Sequence, residues 1–237
     1  MKKEYRKIKY GKKVINYSVV YSKRKTLQIA VHPDYSVVIT APQNTEDYLI
    51  KTKIQKRAKW INKQLNYFKQ FEPRTTRKYF LNGETHLYLG KRYRLKIISG
   101  LNEGVILKNG YFIVVQRDKE NQKRTSELLN NWYLRKAGEK FTEYFDICWE
   151  NFSDITAIKP LLRIRKMKTR WGSLSKKGTL TLNPELIKAP KECIEYVITH
   201  ELCHTVYHNH SSQFYSLLER IIPDWKRIKH KLEINLS

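Results

Sequence analysis

Residues 197–210 read VITHELCHTVYHNH, with four histidines, one glutamate and one cysteine in a short span. Within it, His200-Glu201-Leu202-Cys203-His204 has the form H-E-x-x-H, and apolar Ile194, Val197 and Ile198 precede it as in a buried helix. A helical spacing of four sets both imidazoles on one face about one turn apart, which suits two ligands of a tetrahedral zinc ion. Glu201 then lies beside the remaining coordination position. From there it can take a proton from water activated by the metal and pass it to a leaving amine.

A third ligand has three candidates: His208, His210 and Glu219. His208 continues the i, i+4 series, but on a straight helix it stands about 12 Å along the axis from His200. A metal held at about 2 Å cannot bridge that span. His210 follows Asn209, a residue that tolerates the left-handed conformation found at helix ends, so a chain reversal there would carry His210 to the metal. Glu219 sits beside Arg220, where a surface ion pair is the simpler reading. The geometry favours His210. Cys203 should face away from the histidine pair and pack as a small buried residue.

Upstream, LLRIRKMKTRWGSLSKKGTLTLNPEL after Pro160 reads as two strands flanking a loop, and Pro190 suits the first turn of the H-E-x-x-H helix, which is expected to run to Tyr207. The segment to about Trp149 has helical character through Leu128, Trp132, Leu134, Phe141 and Phe145. YRLKII, GVILK and YFIVVQ read as meandering antiparallel β-structure with turns at Asn82-Gly83, Gly90 and Asn109-Gly110. TLQIAV, HPDY and SVVIT form an expected hairpin, and a helix should start near Asn44 or Thr45 with Ile50, Ile54, Ile61, Leu65 and Phe68 on its apolar face. FEPRTTRK, from Phe71, reads as a linker. No internal repeat is visible. The expected class is α+β, a β-rich region over 1–120 with one amphipathic helix, followed by a catalytic domain over 121–237.

The chain carries 47 Lys and Arg against 22 Asp and Glu, a net +25. Such a balance eases contact with polyanions, nucleic acid foremost. The outer face of the first helix (Lys51, Lys53, Lys56, Lys59, Lys63) and the acid-free run from Arg163 to Lys177 each admit two readings, a solvated face or a polyanion contact. Trp171 in that run reads as a core residue before a base-stacking one. The three cysteines, Cys148, Cys193 and Cys203, form no CxxC pair and suggest a reducing cytoplasm. No apolar run reaches the ~20 residues of a membrane span, and the basic N-terminus does not look like a secretory signal.

Arg170-Trp171-Gly172-Ser173, Asn183, Pro190, His200-Glu201 with His204, and His210-Ser211 leading to Phe214 together resemble the core of the YgjP-like metallopeptidases, zincins related to the SprT-like proteases. The resemblance extends to SKRKTLQIAVHPDYSVVITAP, the KWI of the first helix and NGETHLYLGKRYRLKI; Leu174 departs from the Cys that relatives often carry. It implies a zincin-like catalytic domain, zinc on His200, His204 and His210, Glu201 as general base, and a protein or peptide substrate. Two other expectations stand beside it. One is a nucleic-acid-associated basic protein, either a protease of DNA-bound proteins or a non-catalytic zinc-stabilised binding module; the other is a zinc hydrolase of a non-peptide substrate.

Overall fold

The computed structural model describes residues 4–11, 13–32, 34–69, 78–156, 158–168 and 170–236. The chain divides into two compact units, residues 1–74 and 75–236. The division falls earlier than 120/121 because the sheet of residues 85–116 shares its core with the helix that follows it. The expected linker from Phe71 lies, apart from Lys78, outside the described residues.

The first unit contains strands β1 (Glu4–Tyr10), β2 (Lys13–Ser22), β3 (Gln28–Val31) and β4 (Val37–Pro42), in the spatial order β1-β2-β4-β3. Alternation buries Ile15, Tyr17 and Val19 of β2 and Val37, Ile39 and Ala41 of β4 on one face. Helix α1 (Asp47–Lys69) covers that face with Ile50, Ile54, Ala58 and Ile61, whose spacing of three and four keeps them on one stripe. The expected hairpin is present as antiparallel β3 and β4. Tyr35 takes a positive φ of 63° in its turn.

The second unit opens with β5 (Thr85–Tyr88), β6 (Lys91–Ser99), β7 (Gly104–Lys108) and β8 (Tyr111–Gln116), in the order β5-β6-β8-β7. This is not the antiparallel meander expected from the strand pattern. β8 returns between β6 and β7 and pairs parallel to β6 from Arg94 with Tyr111 to Ser99 with Gln116. Short turns identify hairpins, but which hairpin strand enters the sheet is decided by non-local pairing.

The same arrangement occurs in the first unit, where β2 and β4 are parallel and β3 is the outer strand. Each set of four strands is then followed by a long helix, α1 in the first unit and α2 (Gln122–Glu150) in the second. The repeat that the sequence conceals is therefore present in the topology. Its trace in residues is slight, a Tyr10-Gly11 turn in one copy and a Leu89-Gly90 turn in the other, both glycines at positive φ.

Helix α2 starts at Asn121, whose side chain accepts a hydrogen bond from Arg124 N–H at 3.0 Å. It buries Leu129, Trp132, Tyr133, Phe141 and Phe145 in a core shared with the rest of the unit. A third sheet, β9 (Leu161–Ile164), β10 (Gly172–Leu174) and β11 (Thr179–Leu182), has the order β10-β11-β9. Only two strands were expected here; β10 is too short to show a period. Helices α3 (Lys191–Cys203), α4 (Ser212–Ile221) and α5 (Trp225–Asn235) complete the unit. The α+β class and its zincin-like arrangement of sheet and H-E-x-x-H helix are as expected.

Gly90 joins the first sheet of this unit to α3. Leu89 and Gly90 N–H donate to the Ile187 and Lys188 carbonyls at 2.9 and 3.0 Å, just before α3 begins. A Cβ on Gly90 would lie 2.7 Å from Pro190 Cγ, and its φ of +77° disfavours any side chain. Gly90→Ala should destabilise the 75–236 unit by about 1–3 kcal/mol in denaturant titration of the full chain. Gly83→Ala, equally left-handed but facing open space, should shift the transition less.

Candidate metal centre

Helix α3 is apolar on nearly every side, burying Cys193, Ile194, Val197, Ile198, Leu202 and Cys203. It ends at Cys203, earlier than the expected Tyr207. His204 is its C-cap (φ −72°, ψ −10°), and the N–H groups of Thr205, Val206 and Tyr207 donate back to Leu202 and Cys203 carbonyls in a tight turn. The chain thus reverses from His204 onward. Asn209 does not adopt the positive φ expected of it.

The reversal brings His210 back over α3. His200, His204 and His210 each offer a ring nitrogen within 4.8 Å of the others, and His200 Nε2 and His210 Nε2 are 3.0 Å apart. Ligand nitrogens on a tetrahedron with bonds of about 2.0–2.1 Å stand roughly 3.3 Å apart, so three imidazoles in this arrangement fit such an ion. The His204 ring binds the Tyr207 carbonyl through Nδ1 at 2.9 Å, which leaves Nε2 for the metal. Nδ1 of His200 is buried without a hydrogen-bond partner. Burial, aided by the neighbouring histidines and Lys229, pushes His200 down to about 4, and burial with His204 and Lys229 lowers His210. Neutral rings with free lone pairs are the form that metal ligation requires.

The other candidates fall outside this cluster. His208 is exposed, with its Nδ1 3.2 Å from the His204 carbonyl. Glu219 is exposed and pairs with Lys226 at 3.7 Å rather than with Arg220. Cys203 is buried, and burial pushes its thiol up to about 12, so it stays protonated.

Glu201 points toward β10. Burial raises its carboxyl to about 7, against the lowering effects of the nearby Leu174 backbone N–H and of the Arg170 charge. Gly172 makes this approach feasible. A Cβ there would lie 2.8 Å from Glu201 Cγ, 3.0 Å from Oε1 and 3.0 Å from Val197 Cγ1. The loop before it is pinned by buried Asn183, whose amide donates to the Met167 and Arg170 carbonyls at 2.9 and 3.1 Å. Trp171 packs against the core, in line with its reading as a core residue.

Phe214 closes the site from α4. Its ring lies 5.0, 4.7 and 4.8 Å from the rings of His200, His204 and His210, and it is fully buried. Ser211 caps α4 by accepting from Phe214 N–H at 3.3 Å, so the residue after His210 fixes where Phe214 stands. The sequence pattern contained Gly172 and Phe214 as motif letters, but it did not show that one admits the glutamate and the other braces all three imidazoles.

A family profile for the YgjP-like metallopeptidase domain matches residues 25–235. The chain belongs to that family. Among solved structures it is similar to the metallopeptidase zymogen abylysin of Pyrococcus abyssi, with 27% identity and a TM-score of 0.35 over 39% of this chain and 90% of that one. It is also similar to the zymogen jannalysin of Methanocaldococcus jannaschii, with 23% identity and a TM-score of 0.37 over 41% and 91%. No match to a curated protein was found.

Two substitutions test the architecture of the site. Phe214→Ala should weaken metal binding at the three histidines roughly 10- to 100-fold in chelator competition, whereas Phe214→Leu, which retains bulk, should recover most but not all of the affinity. Gly172→Ala should leave metal content unchanged while lowering hydrolysis by about 100-fold, because it moves Glu201 and not the histidines.

Proposed function

We propose that the chain is a zinc-dependent peptidase with His200, His204 and His210 as metal ligands and Glu201 as general base. The convergence of the three imidazoles beside a buried glutamate carries this reading. The donor set supports zinc, since three neutral nitrogens leave one tetrahedral position open. Bound there, zinc would supply Lewis acidity, which makes water a nucleophile at neutral pH.

The chain's own groups do the rest. Glu201 accepts the proton of the attacking water on a carboxylate oxygen and delivers it to the departing amine. Leu174 N–H and Arg170 hold its charge in place. The N–H of Tyr207 ties the loop between the second and third ligands to the Cys203 carbonyl. Phe214 keeps the imidazoles from turning away.

A peptide substrate is favoured by β10. Among the described residues it is an edge strand, paired with β11 alone, and it runs beside Glu201. An extended peptide can add to such an edge and present successive carbonyls along it. The three cysteines are free and buried, which suits a reducing, cytoplasmic setting. Among the described residues no helix is long and apolar enough to cross a membrane.

Glu201→Gln should keep zinc at the wild-type stoichiometry yet reduce cleavage of a quenched fluorescent peptide library to background. Full activity in that variant would remove the general-base assignment. His210→Ala should lose zinc at a chelator concentration that the wild type withstands; equal retention would remove the third ligand.

A further inference from the structure

The net charge is unevenly distributed. Residues 1–74 hold 18 Lys and Arg against 5 Asp and Glu, so +13 of the chain's +25 lies in less than a third of its length. Helix α1 alone carries Lys51, Lys53, Lys56, Arg57, Lys59, Lys63 and Lys69 against a single acid, Asp47. Asp47 is already bound by Arg6 at 2.5 Å. None of the seven cations has an acidic partner among the described residues.

In the middle of this field stands Trp60. It is 38% exposed, while the core stripe of α1 runs through Ile50, Ile54, Ala58 and Ile61. Helical spacing surrounds it with charge: Lys56 four positions before, Arg57 three before, Lys63 three after, and Lys53 one turn beyond Arg57. Trp60, Lys53 and Arg57 line one wall of a concavity of about 390 Å³, and Leu27 and Ile29 line the other. A solvated lysine face has no use for an exposed indole beside a polar recess whose far wall is Leu27 and Ile29.

We infer that this recess binds single-stranded nucleic acid, with a base stacked on Trp60 against Leu27 and Ile29 and the flanking phosphates on Lys53 and Arg57. Aromatic platforms set in cationic grooves suit single strands because every base has a π-face to stack. A duplex hides those faces and would meet only the charges. A sulfated polysaccharide would likewise satisfy the cations and leave the indole idle. The proposal involves no metal-site residue and stands independently of the peptidase reading.

The test is fluorescence anisotropy of a labelled single-stranded oligonucleotide with the full chain, with a duplex of equal length and heparin as competitors. Binding should weaken linearly in a log–log plot against salt. Trp60→Ala should weaken single-strand binding roughly 5- to 100-fold, leave heparin binding and the salt slope unchanged, and be largely rescued in Trp60→Phe. The double variant Lys53→Gln with Arg57→Gln should flatten the salt slope by about 1.4, the share of two phosphate contacts on a single strand. If Trp60→Ala fails to fold by circular dichroism, Trp60→Phe and the double variant decide. Salt-independent binding, equal competition by heparin or duplex, or unchanged affinity in a folded Trp60→Ala would each overturn the proposal.

Discussion

A carboxylate buried in an apolar helix needs favourable polar neighbours, and in this chain they come from a strand that must almost touch the helix. Glu201 is 9% exposed, and the Leu174 N–H of β10 and the Arg170 charge offset part of its desolvation. Only a glycine at 172 lets the two backbones approach so closely. Much else depends on that approach. β10 must be held by β11, the loop before it by Asn183, and the start of α3 by the β5–β6 turn at Gly90. The unit of residues 75–236 is in this sense organised around one desolvated acid, and desolvation is also what raises its proton affinity.

The three-histidine cluster depends on a second constraint, the early end of α3. A helix continued to Tyr207 would hold His210 farther along the axis than His208 and out of reach of a shared ion. The tight turn from His204 solves this with backbone groups alone, and Tyr207 serves in it twice, through its N–H to Cys203 and its carbonyl to His204. The ring cluster around Phe214 then gives His210 a fixed position on a surface loop.

What could be read from residues follows the range of the forces involved. The convergence of His200, His204 and His210, the inward burial of Cys203 and the hairpin of β3 and β4 rest on local periodicity and turn chemistry, and the structure brings these residues together and buries Cys203. The means by which His210 arrives was misplaced at Asn209 because helix termination is set by tertiary packing as well as by cap preference. β10 was invisible because three residues carry no period. The parallel pairing of β6 with β8, and of β2 with β4, depends on contacts between strands separated by a hairpin, which no window along the sequence contains. Gly172 and Phe214 were legible as letters of a motif and not as the contacts that explain it.

The repeated arrangement of four strands and a helix was used under two different boundary conditions. In the second copy α2 is packed by its own sheet and also by α3 and the turn before it. In the first copy, among the described residues of its unit, α1 is covered by its sheet alone. A helix covered on one side can change its outer residues with little effect on folding, since exposed substitutions usually shift stability by about 0.5 kcal/mol or less. The same arrangement thus occurs once with a helix bound by the demands of a core and once with a helix whose outer surface is open to variation. The seven Lys and Arg of α1 stand on the second of these.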